Sequence, residues 1–358
     1  MTIPIRNLYY LFCYAWERYP ENGAVEVGIE DCPDLPNLFA QVLVNGLNRL
    51  LRRGLDRQYL SAEDELRAPR GRLLLDETLK SGSLDRGAVV CRFDELSVDV
   101  LHNQLLKATV RLLRCDALVL PHLSAALGAV EKRLSWVSDI RVTTDLFSRV
   151  QLSRHTGQYG ELLRLCEFVW RSAMPQEGGV GSRFGDIIRD EIRMSAIFEL
   201  FVLNFFRLHA VGYTVGRENM RWNVGEGGSG DRSLIPIMRT DLTLRSEKRI
   251  LVMDAKFYAE PFQRSLGGLK INSAHLYQLY AYLKHAGRGA ENKAVAGALV
   301  YASPWGRSIN RYPIDDHDVT VAIIDLSQPW PAIHGDMLDV LHPSGAATSD
   351  RLRPPVMA

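Results

Sequence analysis

A carboxylate in the middle of an apolar strand needs an explanation. Residues 249–258, RILVMDAKFY, read as a buried strand, and Asp254 follows Leu251, Val252 and Met253 directly. A buried carboxylate is costly unless it is paired or bound to a cation. Lys256 stands two positions further on, and residues i and i+2 of a strand project to the same face. Asp241 lies in the preceding strand-like run, MRTDLTLR (238–245). The residues between the two runs, Ser246, Glu247 and Lys248, are few enough for a hairpin, though they lack the favoured glycine. Such a hairpin brings Asp241 beside Asp254. Two carboxylates and the backbone carbonyl of Ala255 suit a hard cation such as Mg²⁺, which keeps waters in its remaining positions. The cation polarises a phosphate and lowers the pKa of a bound water. Lys256 adds a point charge beside the developing negative charge. The chemistry within reach is metal-dependent phosphodiester hydrolysis. An Asp-x-Lys triplet alone is common as a surface ion pair; the apolar strand around it and the upstream aspartate set this one apart.

Three further residues could support the site. Glu199 falls on a long helix expected over residues 186–209, DIIRDEIRMSAIFELFVLNFFRLH, where its bland role is that of a half-exposed carboxylate. Gln278 and Tyr282 lie four apart in NSAHLYQLYAYLKHA (272–286), hence on one helical face, where they could equally be ordinary packing polars.

The surrounding pattern must hold these residues in place. Helix, strand, strand and helix are followed by two apolar, β-branched runs, AVAGALVYAS (294–303) and VTVAIIDL (319–326), fit for buried strands. That order predicts a mixed sheet with helices packed on it. Upstream, PNLFAQVLVNGLNRLLR (36–52) has helical spacing and stops before Gly54. Residues 98–114 and 121–134 read as helices, whereas Tyr59 to Cys91 is short, mixed and turn-rich. The first half is therefore expected to be α+β. Glycine-rich passages at 175–185 and 225–230 punctuate the second half, and the tail 344–358 is expected to fray.

Composition excludes several classes. A length of 358 residues suggests two domains. A net charge of +1 shows no overall affinity for nucleic acid, so a DNA enzyme would need a local basic groove or a partner that holds the DNA. The five cysteines are dispersed and form no Cys-x-x-Cys pair, which argues against a zinc site or disulfide framework and for the cytoplasm. The opening MTIPIRNLYYLFCYAW lacks the layout of a signal peptide, and no uncharged run is long enough to span a membrane. No Gly-Lys dipeptide occurs, so there is no P-loop, and any nucleoside-triphosphate step must come from a partner. The nine histidines show no His-Glu-x-x-His spacing, and Gly-x-Ser-x-Gly is absent.

At Asp241 and Asp254-Ala255-Lys256 the chain resembles the PD-(D/E)XK nuclease superfamily, and Gln278-x-x-x-Tyr282 looks like the QxxxY element of some of its branches. Further blocks narrow the resemblance. IPIRNLYYLFCYAW (3–16), RRGLDRQY (52–59), PRGRLLLDETL (69–79), FDELSVDVLHNQLLKAT (93–109), MRTDLTLR (238–245), MDAKFY (253–258) and HLYQLYAYL (275–283) are similar, in order, to the McrC family. These are the nuclease subunits of McrBC modified-cytosine restriction systems. The resemblance runs from residue 3 to about residue 340.

It implies an α+β domain over residues 1–165 that docks on a hexameric AAA+ GTPase of the McrB type and stimulates its GTP hydrolysis. It implies an α/β PD-(D/E)XK nuclease domain over 166–343, a mixed central sheet flanked by helices, acting on double-stranded DNA. By resemblance Asp241, Asp254 and Lys256 are catalytic. Asp241, Asp254 and the Ala255 carbonyl hold Mg²⁺, and Glu199, Gln278 and Tyr282 are site neighbours. GTP belongs to the partner and not to this chain. The superfamily usually places proline before its first aspartate, where this chain has Thr240. Two readings compete: a non-catalytic activator or scaffold of an AAA+ NTPase, and a stand-alone repair nuclease of the same superfamily. The intact Asp, Asp and Lys disfavour the first, and the long N-terminal half disfavours the second.

Overall fold

The structure, a computed structural model, describes residues 3–17, 28, 31–152, 156–173, 191–225, 229–257, 262–265, 268–288, 293–304 and 306–342. The chain forms two compact units. One joins Met1–Asp31 to Asp186–Ala358, and the other is Cys32–Gly185.

This division differs from the expected boundary at residue 165 in two ways: residues 166–185 stay with the unit that begins at Cys32, and the first helix belongs with the C-terminal unit. Helix α1 (Ile5–Ala15) is almost wholly buried. Its partner is α8 (Glu191–His209), with Tyr14 packed edge-on against Phe201. Asn7 Nδ2 donates to the carbonyls of Leu326 and Gln328, both at 2.8 Å. The apolar, aromatic opening of the sequence is thus a core helix of the unit that carries Asp254.

The unit 32–185 begins with α2 (Leu35–Arg53), capped by Asp34, whose side chain accepts from Asn37 N at 3.0 Å. Gly54 ends it at φ 93°, a conformation that glycine adopts without strain. There follow β1 (Gln58–Leu66), β2 (Arg72–Leu73), α3 (Leu75–Ser81) and β3 (Val89–Ser97). β3 is central, antiparallel to β1 from Gln58↔Ser97 to Leu66↔Val89 and paired with β2 on its other side. Between this long antiparallel pair lie a two-residue strand, a short helix and turns, the short and mixed elements expected between Tyr59 and Cys91, but the strand over 58–66 was not expected. Seven of the nine β1 residues are exposed, so the apolar alternation that betrays a half-buried strand is missing. Gly71 explains part of the block PRGR: its φ is +70°, and a Cβ there would lie 2.3 Å from Arg92 O. Helices α4 (Leu101–Arg114), α5 (Pro121–Arg133), α6 (Thr144–Ser148) and α7 (Gly157–Ala173) complete the unit. Buried His102 places Nε2 3.0 Å from Asp56 Oδ2, and Asn103 donates to Asp56 O and Val98 O. Two of the separate sequence blocks meet in these bonds.

In the other unit α8 is followed by β4 (Thr214–Gly216), β5 (Asn219–Met220), β6 (Met238–Arg239), β7 (Leu242–Arg245) and β8 (Arg249–Phe257). Next come β9 (Phe262–Ser265), β10 (Gly268–Ile271), α9 (Ser273–Ala286), β11 (Ala294–Ser303), β12 (Ser308–Ile314), β13 (His317–Asp325) and α10 (Trp330–Asp339). Six strands form one mixed sheet in the order β12-β13-β11-β8-β7-β4. β8, β11 and β13 are parallel, and the outer strands run antiparallel. Ile250 and Val252 share a core with Leu279, Tyr282 and Leu283 of α9. Phe257, of opposite parity on β8, meets Phe198 of α8 at 6.0 Å, so α8 and α9 cover opposite faces of the sheet.

The expected mixed sheet flanked by helices is therefore present. Glu191 is the first described residue of the helix expected to begin at 186. The expected frayed tail, 344–358, lies outside the described residues, as do the glycine-rich residues 175–185. No helix among the described residues is long and apolar enough to cross a membrane.

Candidate active site

β8 is the central element. At Met253 it pairs with Leu242, the first residue of β7, so the position facing Asp254 falls to the residue just before β7. That residue is Asp241. The expectation that Asp241 sits within a continuous strand over 238–245 needs correcting: the run breaks into β6 and β7, with Asp241 in the gap. Thr240 makes the break. Its N–H donates to Glu218 O, its Oγ1 accepts from Glu218 N, both at 3.0 Å, and it also bonds Thr243 Oγ1 at 3.1 Å. Asp241 Oδ2 then accepts the Ala255 N–H at 2.9 Å, the bond a further ladder carbonyl would otherwise take.

The three predicted residues converge. Lys256 Nζ lies 2.7 Å from Asp254 Oδ2 and 4.0 Å from Asp241 Oδ2. The Asp254 side chain is fully buried and that of Lys256 is 13% exposed. Asp254 Oδ1 has no hydrogen-bond partner. Burial pushes the Asp254 carboxyl up to about 7; Lys256 opposes this, while Asp241 and Glu199 add to it. Burial works against the Lys256 charge, but Asp254, Asp241 and Glu199 outweigh it and raise its pKa. Desolvation is thus the largest influence on Asp254, and the neighbouring carboxylates add to it.

The supporting residues divide into two groups. Glu199 on α8 is raised by burial and by Asp241, with Arg217, Lys256 and Arg239 acting the other way. It reaches the site through Arg217, whose Nη2 is 3.6 Å from Glu199 Oε2 and whose Nε donates to Asp241 O at 3.3 Å. Gln278 and Tyr282 instead brace the approach to Asp241. Gln278 Nε2 donates to Tyr282 Oη at 2.8 Å, and Tyr282 Oη donates to Arg239 O at 2.9 Å.

Sequence reasoning missed Arg217, Arg239 and the His275–Tyr301 pair. Arg217 lies in an unpatterned stretch with no local signal. His275 was within reach, since it precedes Gln278 by three positions and Tyr282 by seven, along one helical face. It bonds Tyr301 Oη at 3.0 Å, and Tyr301 is the β11 partner of Lys256. Burial, with the Lys256 charge, holds the His275 pKa below its ordinary value.

Among the described residues no three His, Cys, Asp or Glu side chains gather as a metal cluster. The donors present are nevertheless of the right kind for a hard cation: a buried carboxylate with one unpartnered oxygen and a second carboxylate opposite it. Mg²⁺ is held by one or two carboxylates, with water completing its shell. In an antiparallel pair a residue presents its N–H and C=O to the same side. The Ala255 carbonyl therefore faces the Asp241 side, where the β7 ladder has ended.

Comparison with known proteins agrees with this architecture. The Type IV methyl-directed restriction enzyme EcoKMcrBC of Escherichia coli (strain K12) is 29% identical over 341 residues, covering 95% of this chain and 97% of that protein. A refined half-complex of Thermococcus gammatolerans McrB AAA+ hexamers with bound McrC contains a chain of similar fold. Its TM-score is 0.58 at 17% identity, covering 94% of this chain and 75% of that one. The sequence model of the McrBC 5-methylcytosine restriction system component matches residues 6–302, most of the chain, which therefore belongs to that family.

Proposed function

We propose that this chain is the McrC-type nuclease subunit of a methylcytosine-directed restriction system and that it cuts double-stranded DNA at Asp241, Asp254 and Lys256. The observation that carries the reading is the buried Asp254 carboxylate, with one oxygen unpartnered and the other on Lys256 Nζ, placed where the β7–β8 ladder opens. An orphaned buried oxygen costs free energy in a purely structural ion pair. A cation-binding carboxylate needs it.

Asp241, Asp254 and the Ala255 carbonyl would hold Mg²⁺. When bound, that ion supplies Lewis acidity at the scissile phosphate and a nucleophilic water at neutral pH. Lys256 stabilises the charge that builds on the phosphate oxygens. Asp241 also fixes the Ala255 amide, which locks the two carboxylates in register. Gln278 and Tyr282 hold the strand that leads into Asp241, and Glu199 with Arg217 holds its far side.

The chain has no P-loop, so the motor is a partner, an McrB-like hexameric AAA+ GTPase that binds the GTP. The unit 32–185 is the part that docks on that partner and stimulates it. We place the protein in the cytoplasm, in keeping with five cysteines that form no disulfide. Cleavage of methylated and unmethylated plasmid with Mg²⁺, with and without the partner GTPase and GTP, tests the assignment. Cutting that needs both partner and GTP supports it. GTPase stimulation without any cutting would favour the activator reading, and cutting by the chain alone the repair-nuclease reading.

A further inference from the structure

Tyr301 and His275 meet beside Lys256, yet the chemistry assigned to the site uses neither. Tyr301 is 1% exposed and shares a core with Val252, Leu279 and Tyr282. A buried phenol needs a partner for its hydroxyl. His275 Nδ1 supplies one at 3.0 Å, with the two ring centroids 5.8 Å apart. His275 stands in the first turn of α9, which Asn272 caps by accepting the Ala274 N–H at 2.9 Å. The helix reaches Tyr301 because it seats closely on β11 over Gly297, which carries no side chain. The pair therefore ties the start of α9 to the strand next to β8.

Lys256 lies at the other side of that tie. Tyr301 is its register partner across the parallel β8–β11 pair. Neighbouring strands lie about 5 Å apart, and register partners project to the same face of the sheet. The ammonium is drawn toward the carboxylates, with Nζ 2.7 Å from Asp254 Oδ2 and 4.0 Å from Asp241 Oδ2. Lysine carries its charge on a flexible four-carbon stem, so attraction alone does not fix where Nζ rests between two acids. A wall on the β11 side does. His275 brings no rival charge. Burial and the Lys256 ammonium hold its imidazole below the ordinary pKa, which leaves it neutral at pH 7.

We infer that His275 and Tyr301 are positioning residues for Lys256: the bonded pair closes the β11 side of the lysine stem and holds Nζ on Asp254 and toward Asp241. The inference rests on the nuclease reading and adds two residues to the site. Each acts through the lysine and not on the DNA.

The test takes two readouts on full-length protein. One is acylation of individual lysines by acetic anhydride without divalent cation, followed by mass spectrometry. The other is Mg²⁺-dependent plasmid cleavage with the partner GTPase and GTP, over a range of plasmid concentrations. Tyr301→Phe keeps the ring and deletes the hydroxyl. His275→Ala deletes the imidazole from a half-buried position, and His275→Asn puts an amide where Nδ1 stands. In Tyr301→Phe and His275→Ala, Lys256 should be acylated several-fold faster. Lys293, bonded to Ser246 O at 2.9 Å in the same unit, should keep its wild-type rate. Cleavage at saturating plasmid should fall roughly tenfold with half-saturation unchanged, because a small misplacement of a catalytic group is costly. His275→Asn should restore both. Wild-type acylation of Lys256 in Tyr301→Phe and His275→Ala would overturn the inference. So would faster acylation of Lys256 and Lys293 together, which is general loosening, or a change in half-saturation alone, which is a DNA contact. His275→Asn behaving as His275→Ala would overturn it too. Faster Lys256 acylation with wild-type cutting would keep the brace and remove Lys256 from the chemistry, bringing down that part of the nuclease reading instead. A wild type that never cuts brings down the whole nuclease reading, and acylation still decides the brace.

Discussion

Asp254 is the residue on which the chemistry turns. Asp254→Ala and Asp241→Ala each remove a hard oxygen donor, and Lys256→Ala removes the charge that meets the developing phosphorane. Each should lower DNA cleavage by about 10²-fold or more, measured with partner and GTP present. Mg²⁺ should raise the melting temperature of the wild type and of Lys256→Ala, but not of Asp254→Ala; equal stabilisation of all three would place the cation elsewhere. Tyr282→Phe tests a different role. It deletes the bond to Arg239 O and should cost about 1 kcal/mol of stability. Cleavage should fall several-fold through kcat with KM unchanged, because Tyr282 positions Asp241 and does not hold DNA. A change confined to KM would contradict that. The Asp-x-Lys triplet was legible because an apolar strand around a carboxylate is a local signal. Arg217 was not, because it acquires its role only when the chain folds back to bond the Asp241 carbonyl.

At the scale of elements, two helix contacts decide how the site is held. α9 lies close on β11 at Gly297, where a Cβ would come within 3.0 Å of Leu279 and 3.1 Å of Leu283. Gly297→Val should push α9 outward and cost about 1–3 kcal/mol, as overpacking does. Cleavage should fall with it, since Tyr282 rides on the same helix. Unchanged melting and activity would show that α9 is free to shift. α1, α8 and α10 meet around His209, which bonds Tyr14 Oη at 3.0 Å and packs edge-on to His334. Burial, helped by His334, depresses the His209 pKa from 6.5 to about 4. The folded state thus favours neutral His209. Its contribution to stability is complete above pH 6.5 and is lost as pH falls toward 4. Melting temperatures across that window should drop, and His209→Gln should flatten the drop in part, because burial also depresses His334. An identical acid profile in the variant would exclude His209 as the cause.

Helical and strand periodicity found α2, α4, α5, β8, β11 and α9 in the sequence to within a few residues. It missed β1 because an exposed strand carries no alternation, and β12 because that edge strand is polar and half-exposed. It also gave no hint that α1 docks beside α8, a pairing across nearly the whole length of the sequence.

For the whole molecule, that pairing sets where the chain can be divided. Removing residues 1–165 would strip α1 from α8 and uncover Phe201 and Phe205, both buried beneath Tyr14. Replacing only 32–185 with a short linker should leave a folded unit that retains the Asp254 site and no longer stimulates GTP turnover. If that replacement stimulates as the full chain does, docking does not belong to 32–185. The central claim, cutting in one unit and motor stimulation in the other, is tested most directly by Asp254→Ala in the full chain. DNA cutting and partner GTP turnover should be measured on the same preparation of wild type and variant. The account predicts cutting reduced by about 10²-fold or more with GTP turnover at the wild-type rate. Cutting at the wild-type rate, or GTP turnover lost in step with cutting, would contradict it.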